Sequence, residues 1–257
     1  MGDPADKSIF PRMKVKVPIL LALAAAMLPG APAVAAPATA LAAETMVARY
    51  PFDAGAVNGA FADTSGRGLP LRVRAADGGA PSLVARGTGR AVAFPARCAA
   101  NAASCPRVVL EGGDDADLDP GTRAFRYGAW VRATAAQTGH NANIMQKGVA
   151  TAESQWKLQI GGRKGKAHCV LVGRGSRQAY IAKSSVTVND GAWHSLVCSR
   201  TATALTVYVD GVARGTVAVP PNLTVANDLP LRVGGQNLSN RTDQFGGALD
   251  DVFVAVS

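Results

Sequence analysis

The stretch AWHSLVCSRTATALTVYVDG, residues 192–211, constrains this chain more than any other part of it. In AWHSLVCSR, His194, Leu196 and Cys198 alternate with Trp193, Ser195 and Val197, and a period of two puts the two sets on opposite faces of a strand. Residues 201–204 supply a turn, LTVYV returns with Leu205, Val207 and Val209 on one face, and Asp210-Gly211 is a strong tight-turn signal. The segment is a hairpin followed by another turn.

Strand signals of the same kind recur along the chain. LPLRVR (69–74), YGAWVR (127–132), WKLQI (156–160), AHCVLV (167–172), residues 231–233 and residues 249–256 all read as short strands. Gly-, Asn- and Asp-rich corners such as DTSGRG, RGTGR, EGGDD, GGRKGK, VNDG and VGG separate them. After Ala43 no window of about eleven residues carries a helical apolar stripe free of Gly or Pro, and the Ala-rich stretch 134–137 is too short to change the class. The pattern predicts an all-β, two-sheet antiparallel β-sandwich of the jelly-roll kind. No long-period repeat points to a propeller or solenoid.

The N-terminal end reads differently. Lys14 and Lys16 flank an apolar run at 17–28, followed by the small-residue triplets Ala33-Val34-Ala35 and Ala40-Leu41-Ala42. That is the layout of a signal peptide over residues 1–42, with Met13 as an alternative start, a short leader at 43–46 and one domain over 47–257. The apolar run is too short to span a bilayer, which takes about 20 residues, so a secreted product without stable membrane insertion is expected.

All four cysteines lie in the exported part, where an even number reads as two disulfides. Of three possible connectivities, Cys98 with Cys105 closes the small loop in RCAANAASCPR, and Cys169 with Cys198 would tie two strand segments together. A zinc site needs closer Cys or His spacings than these.

The chain carries a net charge of +9, and beyond residue 42 the remaining 23 basic and 16 acidic residues leave +7. Such a surface favours anionic partners. The one local cluster, Arg163, Lys164 and Lys166 in GGRKGKAH, has no aromatic residue interleaved with it and reads as a solvated turn, so nucleic acid is not an expected partner.

DGAWHSLVCSR followed by LTVYVDGVARG resembles the signature hairpin of the laminin-G-like, concanavalin A-like lectin/glucanase superfamily. VARYPFD, ADTSGRGLPL, GRAVAFP, YGAWVRAT, NIMQKG and FGGALDDVFV line up with it in order, so the likeness runs from about Val47 to Val256. It implies a LamG-like jelly roll and leaves the activity open, since the superfamily includes lectins, adhesion modules, glycosidases and carbohydrate-binding attachments. Members often bind calcium, and on this resemblance Asp63, in the ADTSGRG turn, and Asp250, in ALDDVFV, are the candidate ligands. Alternation would put Asp250 on one face with Val252 and Val254, where a carboxylate must be paired or metal-bound. The structural alternatives are an Asx-turn at Asp63 and backbone hydrogen bonds at Asp250.

Catalytic signals are missing. Retaining glycosidases of this superfamily carry E-x-D-x-x-E, because hydrolysis needs two carboxylates about 5 Å apart. Here the glutamates are Glu44, Glu111 and Glu153, far apart in sequence, and the adjacent pair Asp250-Asp251 would point to opposite faces of a regular strand. His140, His168 and His194 lie in separate segments, no Gly-x-Ser-x-Gly elbow exists, and His194 beside Trp193 resembles the structural pair of the superfamily hairpin. Trp130, Trp156 and Trp193 all sit in strand patterns and are expected in the core. Tyr180, Asn141, Asn143, Gln236, Asn237, Asn240 and Arg241 are loop or strand-edge candidates for ligand contact. The sequons at Asn222, Asn237 and Asn240 would matter only in a eukaryotic secretory host. The expectation is a secreted, non-catalytic recognition module for carbohydrate or another cell-surface ligand. A glycan-cleaving enzyme and a protein-binding adhesive domain are the rivals.

Overall fold

The computed structural model describes residues 44–257 except Ala100, His140, Asn240 and Thr242. The signal-peptide segment and the candidates His140 and Asn240 lie outside the described residues.

Among the described residues, sixteen strands form two antiparallel sheets of eight. Sheet A runs β14 (Val212–Ala218), β13 (Ala204–Val209), β12 (Asp190–Arg200), β7 (Phe125–Thr134), β16 (Ala248–Val256), β5 (Gly89–Ala93), β4 (Ser82–Arg86), with β1 (Thr45–Tyr50) also paired on β16. Sheet B runs β11 (Ala179–Thr187), β10 (Lys166–Val172), β9 (Gln155–Gly161), β8 (Asn141–Gly148), β15 (Leu231–Val233), β6 (Arg107–Glu111), β3 (Leu71–Ala76), β2 (Ala60–Phe61). The expected hairpin is β12 and β13, and the next turn, Asp210-Gly211, has φ of 53° and 78°, the doubly left-handed geometry that suits a two-residue connection between twisted strands. The Ala-rich stretch forms a four-residue helix, Ala135–Thr138.

The inner faces meet in one apolar core. Tyr127, Val131, Leu196, Cys198 and Val254 come from sheet A, and Leu110, Trp156, Leu158, Cys169 and Leu171 from sheet B. Trp156 is fully buried, as expected, packs against Phe125 and Tyr127, and donates its indole N–H to the Leu118 carbonyl at 3.1 Å. Two links cross between the layers. The Tyr127 hydroxyl reaches the Lys157 carbonyl at 3.2 Å, and the Cys169–Cys198 disulfide joins β10 to β12. The second disulfide is Cys98–Cys105, so both favoured pairings are present.

The acidic run after Glu111 has a structural use. Lys147 on β8 is fully buried, with its ammonium 2.9 Å from Asp114 and 2.8 Å from Asp119, so two loop carboxylates offset a charge that could not otherwise be buried. Arg200, at the end of β12, is also buried and donates to the carbonyls of Gly121 at 2.7 Å and Leu223 at 2.5 Å, closing that end of the sandwich.

Two expectations need correcting, and one strand carries no mark in the sequence. Strand β1 starts at Thr45, inside the stretch read as leader, because Thr45 and Met46 already pair with Val256 and Ala255. Strand β3 starts at Leu71 rather than residue 69, after Pro70, which has no N–H to give to a ladder. Strand β8 was not among the alternating segments because it is buried nearly end to end while carrying Asn143, Gln146 and Lys147, so no alternation marks it.

Candidate functional site

The outward face of sheet A is built by the residues alternating with the core set. On β7 these are Arg126, Gly128, Trp130 and Arg132, and on β12 Trp193, Ser195, Val197 and Ser199. The ladder aligns Ser195 with Trp130 and Asp250, and Val197 with Gly128 and Phe253. Trp130, Trp193, Tyr208 and Phe253 are half-buried, so the expectation that all three tryptophans lie in the core holds only for Trp156. The sequence held the signal: in FRYGAWVRAT, period two puts Trp130 with Arg126 and Arg132, not with Tyr127 and Val131.

A one-residue bulge in β16 shapes the site. Leu249 pairs with Val131 and Asp250 with Trp130, but Phe253, not Val252, opposes Gly128, and Asp251 takes the extra position at φ 44°. Leu249, Val252 and Val254 therefore face the core while Asp250 and Phe253 face outward. The expected grouping of Asp250 with Val252 and Val254 is overturned, and so is the expectation that Asp250 and Asp251 point apart. Both reach the Arg86 guanidinium, at 2.5 and 3.6 Å. At this same bulge the neighbouring strand changes: Ala248 and Leu249 pair with β5, whereas residues 252–256 pair with β1.

Arg86 is the hub that sequence reading missed. Its guanidinium carbon stands 4.6 Å from the Trp130 ring centre and 5.2 Å from that of Trp193, and Arg132 covers Trp193 at 5.1 Å. Burial pushes the Asp250 carboxyl above its ordinary range, with the Asp251 charge adding to it and Arg86 opposing it. Arg49 is 3.3 Å from Asp251, and Arg126 is 3.0 Å from Glu44.

Three clefts on this face share lining residues. One of about 340 Å³ is lined by Arg49, Arg126, Trp130, Ser195, Asp251 and Phe253, among others. A second, of about 440 Å³, shares Arg126 and Ser195 and adds Val197, Ser199 and Tyr208. The third, of about 420 Å³, shares Asp251 and extends over Asp53, Arg86 and Asp250. Gly128 leaves room that no side chain could take, since a Cβ there would lie 2.5 Å from the Leu196 carbonyl oxygen and 3.1 Å from the Phe253 ring.

The calcium candidates are placed as follows. Asp63 accepts from the N–H groups of Arg49 and Ser65 on one oxygen, and from the Ser65 hydroxyl and the Leu69 N–H on the other. A carboxylate offers about four acceptor positions, and all are taken. Burial pushes the Asp63 pKa up, but these hydrogen bonds outweigh it and hold the carboxyl below its usual range. Asp250 accepts the Asp251 N–H and faces a guanidinium. Neither carboxylate, so placed, fits a calcium ligand, and no group of three or more His, Cys, Asp or Glu side chains comes together as a metal site among the described residues.

His194 lies on the core side at the sheet margin, its Nδ1 2.8 Å from Asp210 and its Nε2 3.1 Å from Asp190. Burial would lower its pKa, but the two carboxylates outweigh that and raise it. The loop and strand-edge candidates do not join the clefts. Asn143 is fully buried against Gln146, Tyr180 packs partly against the core, Asn141 is exposed at the start of β8, and Arg241 bonds the Ala102 carbonyl. Gln236 and Asn237 are half-buried in the segment after β15.

Two stacked antiparallel sheets of this topology define a jelly-roll sandwich. The chain belongs to the concanavalin A-like lectin/glucanases superfamily, whose family model matches residues 111–255. No curated protein sequence matches it. Among solved structures it is similar to domain 4 of AbnA, an extracellular arabinanase of Geobacillus stearothermophilus solved with arabinotriose (TM-score 0.62, 17% identity, 83% of this chain and 93% of that one). It is also similar to the binding domain of botulinum neurotoxin DC in complex with SialylT (TM-score 0.58, 12% identity, 82% of this chain and 47% of that one). The binding domain of Paraclostridial Mosquitocidal Protein 1 gives the same TM-score of 0.58 at 13% identity, with 82% of this chain and 48% of that chain covered. At these identities the likeness is one of fold, and the chain spans about half the length of the two toxin domains.

Proposed function

We propose that this is an exported, non-catalytic carbohydrate-binding module that takes its ligand on the outward face of sheet A. The observation that carries the reading is the juxtaposition of half-buried Trp130 and Phe253 with Arg126, Ser195 and Asp251 in one cleft. Rings offer an apolar surface to a pyranose or furanose face, and the flanking fixed polar groups can hydrogen-bond its hydroxyls. The arabinotriose-bound and SialylT-bound structures of the same fold support the sugar class, and two disulfides support export to an oxidising compartment. Calcium has no part in this reading.

The nearest thing to a catalytic pair, Asp250 and Asp251, is spent on Arg86 and Arg49. A nucleophile and an acid/base would each need access to the scissile bond, and here the carboxylates hold guanidinium groups. The test is a panel of neutral oligosaccharides, with arabinotriose first, titrated calorimetrically while reducing ends are assayed. Binding without release of reducing sugar is expected. Release that disappears in Asp250→Asn would make the protein a glycosidase and overturn the non-catalytic reading.

A further inference from the structure

The opposite face, on sheet B, carries a second feature that the sugar cleft does not use. Arg72 on β3, Glu111 on β6 and Arg232 on β15 stand in one row across three adjacent strands, because both arginines pair in register with Glu111. Their strand neighbours Leu71, Leu110, Leu231 and Val233 fill the core, so the row faces outward. Arg74, two residues along β3, joins it. Glu111 accepts the Nε–H of Arg74 on one oxygen and the Nε–H of Arg232 on the other, both at 3.1 Å. Using Nε leaves the Nη ends of both guanidinium groups without a partner among the described residues. Arg72 is exposed and has no hydrogen bond or ion pair there at all. Three cations thus surround one anion, two of them oriented by it.

Arg72, Arg74 and Glu111 line a cleft of about 300 Å³ together with Leu69, Pro70, Gly112 and Gly113, and Arg232 holds Glu111 from the neighbouring strand. A Cβ on Gly113 would meet nothing within 4 Å, so the backbone there lies open to a ligand. Planar guanidinium forks bind carboxylates bidentately, and a surplus of positive charge around a fixed anion asks for further carboxylates. No aromatic ring lines the cleft, which removes the stacking platform that single-stranded nucleic acid uses. We propose that this row is a separate binding site for a carboxylated polysaccharide of the polyuronate class, with Glu111 as a positioning residue. The site is independent of the sugar cleft on sheet A.

Affinity electrophoresis of the full secreted protein through gels containing polygalacturonate tests it, with neutral arabinan and double-stranded DNA as parallel gels. Polygalacturonate should retard the wild type, and R72Q/R74Q should weaken that retardation by about ten-fold or more. R163Q/K164Q, which removes the same charge at the β9–β10 turn, should migrate like the wild type. Glu111→Gln is the decisive variant: it makes the protein more positive yet puts an amide donor against an arginine N–H, so binding should weaken while circular dichroism shows the β fold retained. Tighter binding by Glu111→Gln, equal loss in R163Q/K164Q, or equal retardation by DNA would show bulk charge alone and overturn the proposal. Arabinotriose is uncharged and is the proposed probe of the sheet A cleft alone, so an R72Q/R74Q variant that loses polygalacturonate retardation yet matches the wild type in arabinotriose titration separates failure here from failure there.

Discussion

At the scale of single residues, His194 and Asp63 make opposite demands on the solvent. The folded state raises the His194 pKa through Asp210 and Asp190. Its contribution is therefore fully present below the unfolded histidine value, about 6.5, and is lost as pH rises through the higher folded value. Partly exposed pairs of this kind are weakened by solvent screening, so the thermal midpoint should fall by about 2 °C between pH 6 and pH 9, and the His194→Gln variant should lack that slope. Asp63 has a depressed pKa, so its share is present above the unfolded carboxylate value and disappears as pH falls through the folded one. With all four acceptor positions of Asp63 filled by the protein, a chelator should leave the midpoint of wild type unchanged. A drop of several degrees on chelation, restored by calcium, would put a metal back at this turn.

At the scale of elements, the Cys169–Cys198 disulfide and the β16 bulge set the geometry between and within the sheets. The disulfide bridges residues 29 apart, and closing a loop of that size restricts the unfolded chain by about 3 to 4 kcal/mol in the loop-entropy account. Cys169→Ala/Cys198→Ala should lose about that much in urea unfolding, while replacing the Cys98–Cys105 pair, which spans 7 residues, should cost less. Arg86→Gln should destabilise by about 3 kcal/mol in urea unfolding, because Asp250, at 7% side-chain exposure, would lose the guanidinium that offsets its burial. The strands and corners were legible in the sequence wherever alternation was clean, as in β9, β10, β12 and β13, and so was the disulfide pattern. The site was less legible. LDDVFV carries no mark of a bulge, since aspartate tolerates the left-handed position that Asp251 adopts, and a one-residue shift exchanges the faces of everything on one side of it. Arg86 comes from a hairpin far away in sequence, so only tertiary pairing could bring it to Asp250.

At the scale of the whole molecule, the two outward faces divide the chemistry. Sheet A offers aromatic rings and ion pairs in neighbouring clefts, and sheet B offers an arginine row around one glutamate. Between them lies a core in which no helix is long and apolar enough to cross a membrane among the described residues. The most direct test of the sugar face is calorimetric titration of arabinotriose, or the best ligand of the neutral panel, into wild type and Trp130→Ala. The account predicts affinity at least about thirty-fold weaker in Trp130→Ala, with the thermal midpoint within a few degrees of wild type. A Trp130→Ala protein that folds normally and titrates with the wild-type affinity would contradict it.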